Sequence, residues 1–230
     1  MSDPSPDAAI LAAWLRNATP WEAAVREQRI ESRRLVTDQA IVAAVKAVAP
    51  CRVLDLGCGE GWLARALIAE GMTVTGVDAV PELVEAARRH GDGAFHVVAY
   101  EQLAAGVPGA PFDAVVCNFS LLGEQSVEQV FAALPALLVP GGHCIVQTLH
   151  PLIACGDAPY RDGWREGSWA GIDGDFKEAA PWYFRTLESW VGLFMRHGLT
   201  LEVLREPLHP ATQRPAAIIL IAVRSENLIY

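Results

Sequence analysis

Apolar residues along this chain fall into two alternating rhythms from residue 52 onward. Short runs of consecutive apolar positions, the mark of strands buried on both faces, predict strands near 52–56, 73–77, 94–98, 113–118 and 143–148. Between them the spacing opens to three and four, which predicts helices near 61–70, 81–90 and 127–138. Pro135 should kink the last of these or end it early. Strand and helix in alternation imply a parallel sheet covered on both faces. Pro140-Gly141-Gly142 marks a turn before the fifth strand. A helix over 186–197 and strands over 199–205 and 216–223 close the chain. Two closing strands with no helix between them predict an antiparallel hairpin at the edge of the sheet.

Ahead of this repeat the pattern is helical. Residues 1–7 are expected to be frayed. Ile10, Leu11, Trp14 and Leu15 share one helix face, and Thr19-Pro20 signals a break and a second helix start. Trp21, Val25 and Ile30 form an apolar stripe on that second helix. Arg26, Arg29 and Arg33 share another face, either solvated and paired with Glu22, Glu27 and Glu31, or carried by a lid that brings an arginine to an anionic substrate group. Thr37-Asp38 reads as a cap before a helix over 39–48. The least regular stretch runs from Pro151 to Pro181, with Tyr160, Trp164, Trp169, Trp182 and Tyr183 in or beside it. Such a stretch is a lid or binding segment, and its aromatics line an acceptor pocket or anchor the loop. The expected organisation is a helical cap over 1–38 and one domain over 39–230, with a lid insertion at about 151–185.

Composition narrows the class. With 230 residues, 52% hydrophobic and 20% charged, the chain has the make-up of a globular domain with a large core. A formal charge of −9 argues against general electrostatic binding to nucleic acid. No apolar run is long enough to cross a bilayer, and the first residues lack the basic and apolar regions of a signal peptide. Cys51, Cys58, Cys117, Cys144 and Cys155 include no Cys-x-x-Cys pair, so buried free thiols in a reducing compartment are expected, and zinc is poorly supported. No metal is expected; Asp173-Gly174-Asp175 lacks the further ligands of a calcium loop and reads as a turn. These features together suggest a cytoplasmic protein, monomeric or homodimeric, with no nucleic-acid or membrane partner.

The most informative stretch is Val53-Leu54-Asp55-Leu56-Gly57-Cys58-Gly59-Glu60-Gly61. A buried strand that enters a helix through a tight glycine turn cradles nucleotides, because bare backbone can approach the ligand. Asp78 ends the next apolar run, where a carboxylate accepts hydrogen bonds from a ribose diol. A dinucleotide fingerprint would place its third glycine at 62, which is Trp62 here. Asp55, inside the strand, could hold an ammonium. Ribose at one end and an amino acid at the other describe S-adenosylmethionine.

In these residues the chain resembles the class I S-adenosylmethionine-dependent methyltransferases. The resemblance implies a Rossmann-like three-layer α/β sandwich with a mostly parallel seven-stranded sheet and an antiparallel terminal strand. It implies S-adenosylmethionine as cofactor, S-adenosylhomocysteine as product, and a small-molecule methyl acceptor of aromatic or carboxylated type. Cofactor contacts would come from Asp55, Gly57, Cys58, Gly59, Gly61, Asp78 and Ala79, from Tyr100 and Glu101 near adenine, and from Asn118 and Phe119 beside the sulfur. Ala99 stands where the family often has an acid, so backbone at Tyr100 and Glu101 would replace that contact. The Asn-Pro-Pro-Tyr signature of base and glutamine methylation is absent. Trp21, Arg29, Arg33, Trp164, Trp169 and Tyr183 are the candidate acceptor-site residues. His150, directly after the fifth strand, is the candidate base. A non-catalytic S-adenosylmethionine-binding module and a nicotinamide oxidoreductase stand as the alternatives.

Overall fold

The apolar runs pair into one seven-stranded sheet in the computed structural model, which describes residues 5–225. Its strands are β1 (Arg52–Leu56), β2 (Thr73–Asp78), β3 (Ala94–Val97), β4 (Phe112–Asn118), β5 (Leu138–Thr148), β8 (Leu199–Arg205) and β9 (Ile218–Arg224). The order is β3-β2-β1-β4-β5-β9-β8. β1 to β5 pair in parallel, and β9 runs antiparallel between β5 and β8. The helices are α1 (Pro6–Arg26), α2 (Asp38–Ala47), α3 (Trp62–Ala69), α4 (Pro81–His90), α5 (Gln125–Leu137), the short α6 (Pro151–Ala154) and α7 (Leu187–Arg196).

Side chains alternate across each strand and so divide between two apolar layers. Leu54, Leu56, Val115, Cys117 and Val146 join Phe131 and Leu134 of α5 and Phe194 of α7. Val53, Ala114, Val116 and Ile145 join Ile41 and Val45 of α2 and Leu63 and Leu67 of α3. Helices therefore cover both faces, giving the expected three-layer α/β sandwich with one antiparallel strand.

The structure corrects several expectations. α1 does not break at Thr19-Pro20. Pro20 lies inside it, and the carbonyl it leaves unbonded belongs to Arg16, an exposed residue. The continuous helix carries Trp14 and Trp21 on one side, their rings packed edge to face at 5.0 Å. Because α1 ends at Arg26, Arg26, Arg29 and Arg33 share no helix face. Residues 5–7 are ordered: the Ser5 side chain caps the helix, and the Asp7 carboxylate accepts the Ser126 N–H at 3.1 Å at the start of α5. Residues 1–4 and 226–230 lie outside the described residues.

Arg33–Thr37 winds as a π turn running directly into α2, so Thr37 has helical backbone angles and its hydroxyl caps nothing. β5 begins at Leu138, and Pro140-Gly141-Gly142 lies inside it, where its pairing with β4 shifts register. Pro135 ends α5 only two residues later, at Leu137. Within 151–185 two three-residue strands, β6 (Gly163–Arg165) and β7 (Trp182–Phe184), form a separate antiparallel pair. Cys51 is exposed rather than buried.

α1 spans the carboxyl edge of the sheet. One end meets α5 through Asp7; further along, Trp14, Ala18 and Trp21 pack on Val80 and Leu83 at the start of α4. Its middle is tied to the 151–185 segment by Asn17, whose Oδ1 accepts the Lys177 N–H at 2.7 Å.

Candidate cofactor and acceptor site

β1 delivers its glycine turn beneath α1. The N–H groups of Gly57 and Cys58 both donate to the Val77 carbonyl, at 2.8 and 3.0 Å, which ties the turn to β2. Gly57, Gly59 and Gly61 have φ of 78°, 55° and 84°, a region that favours glycine. A Cβ on Gly57 would stand 2.3 Å from Ser120 Cβ, and one on Gly61 would stand 2.9 Å from Ala87 Cβ. Gly57 thus lets β1 approach the end of β4, and Gly61 lets α3 approach α4. A Cβ on Gly59 would meet only the Trp21 indole nitrogen, at 3.7 Å, so its bare backbone faces the aromatic side chain above.

Three carboxylates converge on this turn. Asp78 accepts the Gly59 N–H through Oδ2 and the Val80 N–H through Oδ1, both at 2.9 Å, and burial still raises its pKa against those bonds. Glu60 is buried and held bidentately by Arg65 at 2.6 and 2.9 Å; burial raises its pKa, and Arg65 opposes the rise. Asp55 is 1% exposed, and its Oδ2 has no hydrogen-bond partner. Burial first, then the charge of Asp78, pushes its pKa from 3.8 to about 7. A buried, half-satisfied carboxyl beside a glycine cradle is disfavoured unless a cationic or hydrogen-bonding group meets it. The arrangement fits a ligand with an ammonium near Asp55 and hydroxyls near Asp78.

The end of β4 forms the neighbouring wall. Phe119 has φ of 53°, a strained conformation for an aromatic residue, held by its N–H donating to the Gln147 carbonyl at 2.8 Å. Ser120 Oγ donates to the Leu56 carbonyl at 2.7 Å, and Tyr100 OH donates to the Ser120 carbonyl at 3.1 Å. Tyr100 thereby braces the Gly57 turn, and burial raises its pKa well above the usual phenol value. Glu101 is exposed, and Ala79 is half-buried beside Asp78. Cys58 is buried and its thiol pKa is raised, first by burial.

Aromatic side chains roof the turn. Trp169 packs edge to face on Trp14 at 5.5 Å, lies 6.4 Å from Trp21, and stacks on Phe176 at 4.4 Å. Arg33 is buried, bonds Asp38 at 3.0 Å and lies 4.6 Å above the Trp62 ring. Arg29 pairs with Glu27 and reaches the Asp173 carbonyl at 3.4 Å.

Residues 53–142 match the family described as a methyltransferase domain. A ubiquinone biosynthesis O-methyltransferase from Xylella fastidiosa (strain M23) is 41% identical over 108 residues, 45% of this chain and 44% of the relative. Over residues 53–142 the chain is similar to a methyltransferase domain. The match spans under half the length of that curated relative. Burkholderia thailandensis 1,6-didemethyltoxoflavin-N1-methyltransferase, solved with 1,6-didemethyltoxoflavin and S-adenosylhomocysteine, shares the fold with a TM-score of 0.67 at 19% identity, over 98% of this chain and 92% of that one. An S-adenosylmethionine-dependent methyltransferase from Mesorhizobium loti gives 0.60 at 23% identity, over 79% of this chain and 96% of that one.

Not every candidate residue gathers at this domain's glycine turn. Trp164 and Tyr183 face each other across β6 and β7, with rings 5.4 Å apart. His150 is 5% exposed, and its Nε2 lies 2.7 Å from Glu206 Oε1, just past the end of β8. In the strand order, β8 lies two strands beyond β5 and away from β1, so this pair sits on the far side of the carboxyl edge. No hydrogen bond among the described residues joins His150 to the turn. Gln147, Asn17 and Ser120 were not among the candidates read from the sequence, and Thr37 was read only as a helix cap. Gln147 alone left a signal, as a polar residue within the apolar run 143–148.

Proposed function

We propose that the chain transfers a methyl group from S-adenosylmethionine to a small-molecule acceptor. The observation that carries this reading is Asp55, a buried carboxyl with one orphaned oxygen beside the three-glycine turn. Asp55 would take the ammonium of the cofactor's amino-acid end, and Asp78 its ribose hydroxyls. Backbone at Gly57, Cys58, Gly59, Gly61 and Ala79 would surround it, Tyr100 and Glu101 would border adenine, and Asn118 and Phe119 would flank the reacting end. When bound, the sulfonium supplies an activated methyl group. The chain's own part is then alignment and exclusion of water, worth roughly 7–11 kcal/mol in favourable cases.

The helical cap over 5–38 and the 151–185 segment serve as the lid, supported by the Asn17–Lys177 bond and the Trp14–Trp169 contact. Trp21, Trp169, Arg29 and Arg33 sit on it as acceptor-side residues; Trp164 and Tyr183 extend that wall. The named relatives favour a small aromatic acceptor. A cytoplasmic location accords with the five free thiols, and the protein is taken as monomeric or homodimeric. Among the described residues no helix is long and apolar enough to cross a membrane.

Calorimetric titration with S-adenosylmethionine, S-adenosylhomocysteine and NAD tests the reading. Binding of the first two and not the third is expected. Binding of NAD alone would replace the reading with an oxidoreductase, and cofactor binding without turnover across an acceptor screen would leave a binding module.

A further inference from the structure

At the carboxyl ends of β4 and β5, two side-chain amides link a backbone carbonyl to the cleft. Thr37 closes the π turn, and its carbonyl oxygen, which can only accept, takes a hydrogen bond from Gln147 Nε2 at 3.1 Å. The same Nε2 donates to Asn118 Oδ1 at 2.6 Å. A glutamine amide nitrogen carries two hydrogens, and these two bonds use both. Turning the Gln147 amide over would set its oxygen against the Thr37 carbonyl, acceptor against acceptor. The backbone therefore decides which way Gln147 lies, and Gln147 decides which way Asn118 lies. With Asn118 Oδ1 held, its Nδ2 occupies the opposite corner of the same planar amide. That nitrogen donates to no group among the described residues and is not sealed from solvent.

The arrangement is costly to keep. Gln147 is 1% exposed with Oε1 unpartnered, and the Thr37 hydroxyl is buried and unpartnered as well. An apolar residue at either position would avoid that loss. A π turn and a left-handed Phe119 flank the same amides, and both features concentrate at functional sites.

We propose that Gln147 and Thr37 are positioning residues that hold Asn118 with its N–H toward the acceptor. The subsite at Asn118 then takes an oxygen with free lone pairs, most strongly an ionised one such as a phenolate or carboxylate, and rejects an ammonium. This inference rests on the methyltransferase reading and adds the chemical class of the acceptor. A donor at that point stabilises the anion relative to its conjugate acid, so an ionisable phenol bound there loses its proton at lower pH than in water.

4-Nitrophenol, whose anion is yellow, serves as the probe, added to the protein saturated with S-adenosylhomocysteine and titrated with pH. The wild-type complex should bind the anion in preference to the neutral phenol, shown by an apparent pKa below that of the free probe. Asn118→Asp keeps an oxygen for Gln147 but turns a second one outward, and should weaken anion binding roughly tenfold to hundredfold. Gln147→Leu leaves the Asn118 donor in place but free to turn. It should raise the bound probe's pKa back toward the free value while S-adenosylhomocysteine affinity is unchanged, a change that loss of packing alone would not produce. Wild-type protein that fails to bind S-adenosylhomocysteine removes the reading beneath the subsite, and the inference with it. Normal S-adenosylhomocysteine binding overturns the amide relay alone if the probe is not bound, if the neutral form is preferred, or if both variants match wild type.

Discussion

Replacing Asp55 with asparagine should make the protein more stable and a poorer binder at once. In the folded protein the carboxyl titrates at about 7 rather than 3.8, so the fold favours its neutral form. The folded state then holds a proton that the unfolded chain releases, and stability from this group is complete below 3.8 and lost as pH rises through about 7. At about 1.4 kcal/mol per pH unit, the ceiling on that loss is about 4 kcal/mol above neutrality. Asparagine cannot ionise, so Asp55→Asn and wild type should have similar denaturation midpoints in acid and diverge as pH rises, with the variant ahead at pH 8. Saturating S-adenosylhomocysteine should reverse the ranking, because the ligand's ammonium pairs with the ionised carboxylate. Calorimetry near pH 7, repeated in buffers of different ionisation enthalpy, should show release of about half a proton by wild type and none by Asp55→Asn. Urea denaturation at pH 5 and pH 8 decides the matter. A gap between the two proteins that is the same at both pH values would refute the argument that burial of this carboxyl sets its pKa.

Asp78→Ala should weaken S-adenosylmethionine binding by roughly 1.5–3 kcal/mol, a tenfold to hundredfold loss by titration, and unchanged affinity would remove Asp78 from the ribose site. Hydrogen exchange of α1 and of 163–184 should slow together when S-adenosylhomocysteine binds, and Asn17→Ala should uncouple them; slowing confined to β1, α3 and β2 would count against a lid. His150→Ala should lower the denaturation midpoint by freeing the edge contact with Glu206 while S-adenosylmethionine affinity holds. A fall in turnover of roughly 10²–10⁴-fold with an intact fold would instead identify proton transfer through its unpartnered Nδ1.

The positions of the main strands were legible because the apolar runs of β1, β4 and β9 are buried on two faces, and Gly57, Gly59 and Gly61 announced a backbone only glycine adopts cheaply; the order of the strands in the sheet was not. What escaped the pattern depended on contacts between distant residues. Pro20 reads as a stop, yet Trp14 and Trp21 pack the helix through it. A π turn needs one residue more than the helical repeat, and periodicity in Arg33–Thr37 does not display it. Three-residue strands such as β6 and β7 are too short to alternate visibly. Position directly after β5 placed His150 at the right edge of the sheet, but the sequence holds no sign of which way the ring turns, and Glu206 draws it outward.

The place of β9 in the sheet has a consequence for how the chain is made. As synthesis proceeds, β1 to β4 and the glycine turn can assemble from neighbouring segments, whereas His143–Thr148 must wait for Ile218–Val223 to supply the antiparallel partner. Until then a parallel sheet ends in a bare apolar strand, with Ile145 and Val146 beside unpaired backbone, and such edges recruit other chains. β9 is therefore a stopper as well as a structural member: the strands that carry the glycine turn can form first, and the segment that covers their open edge follows them.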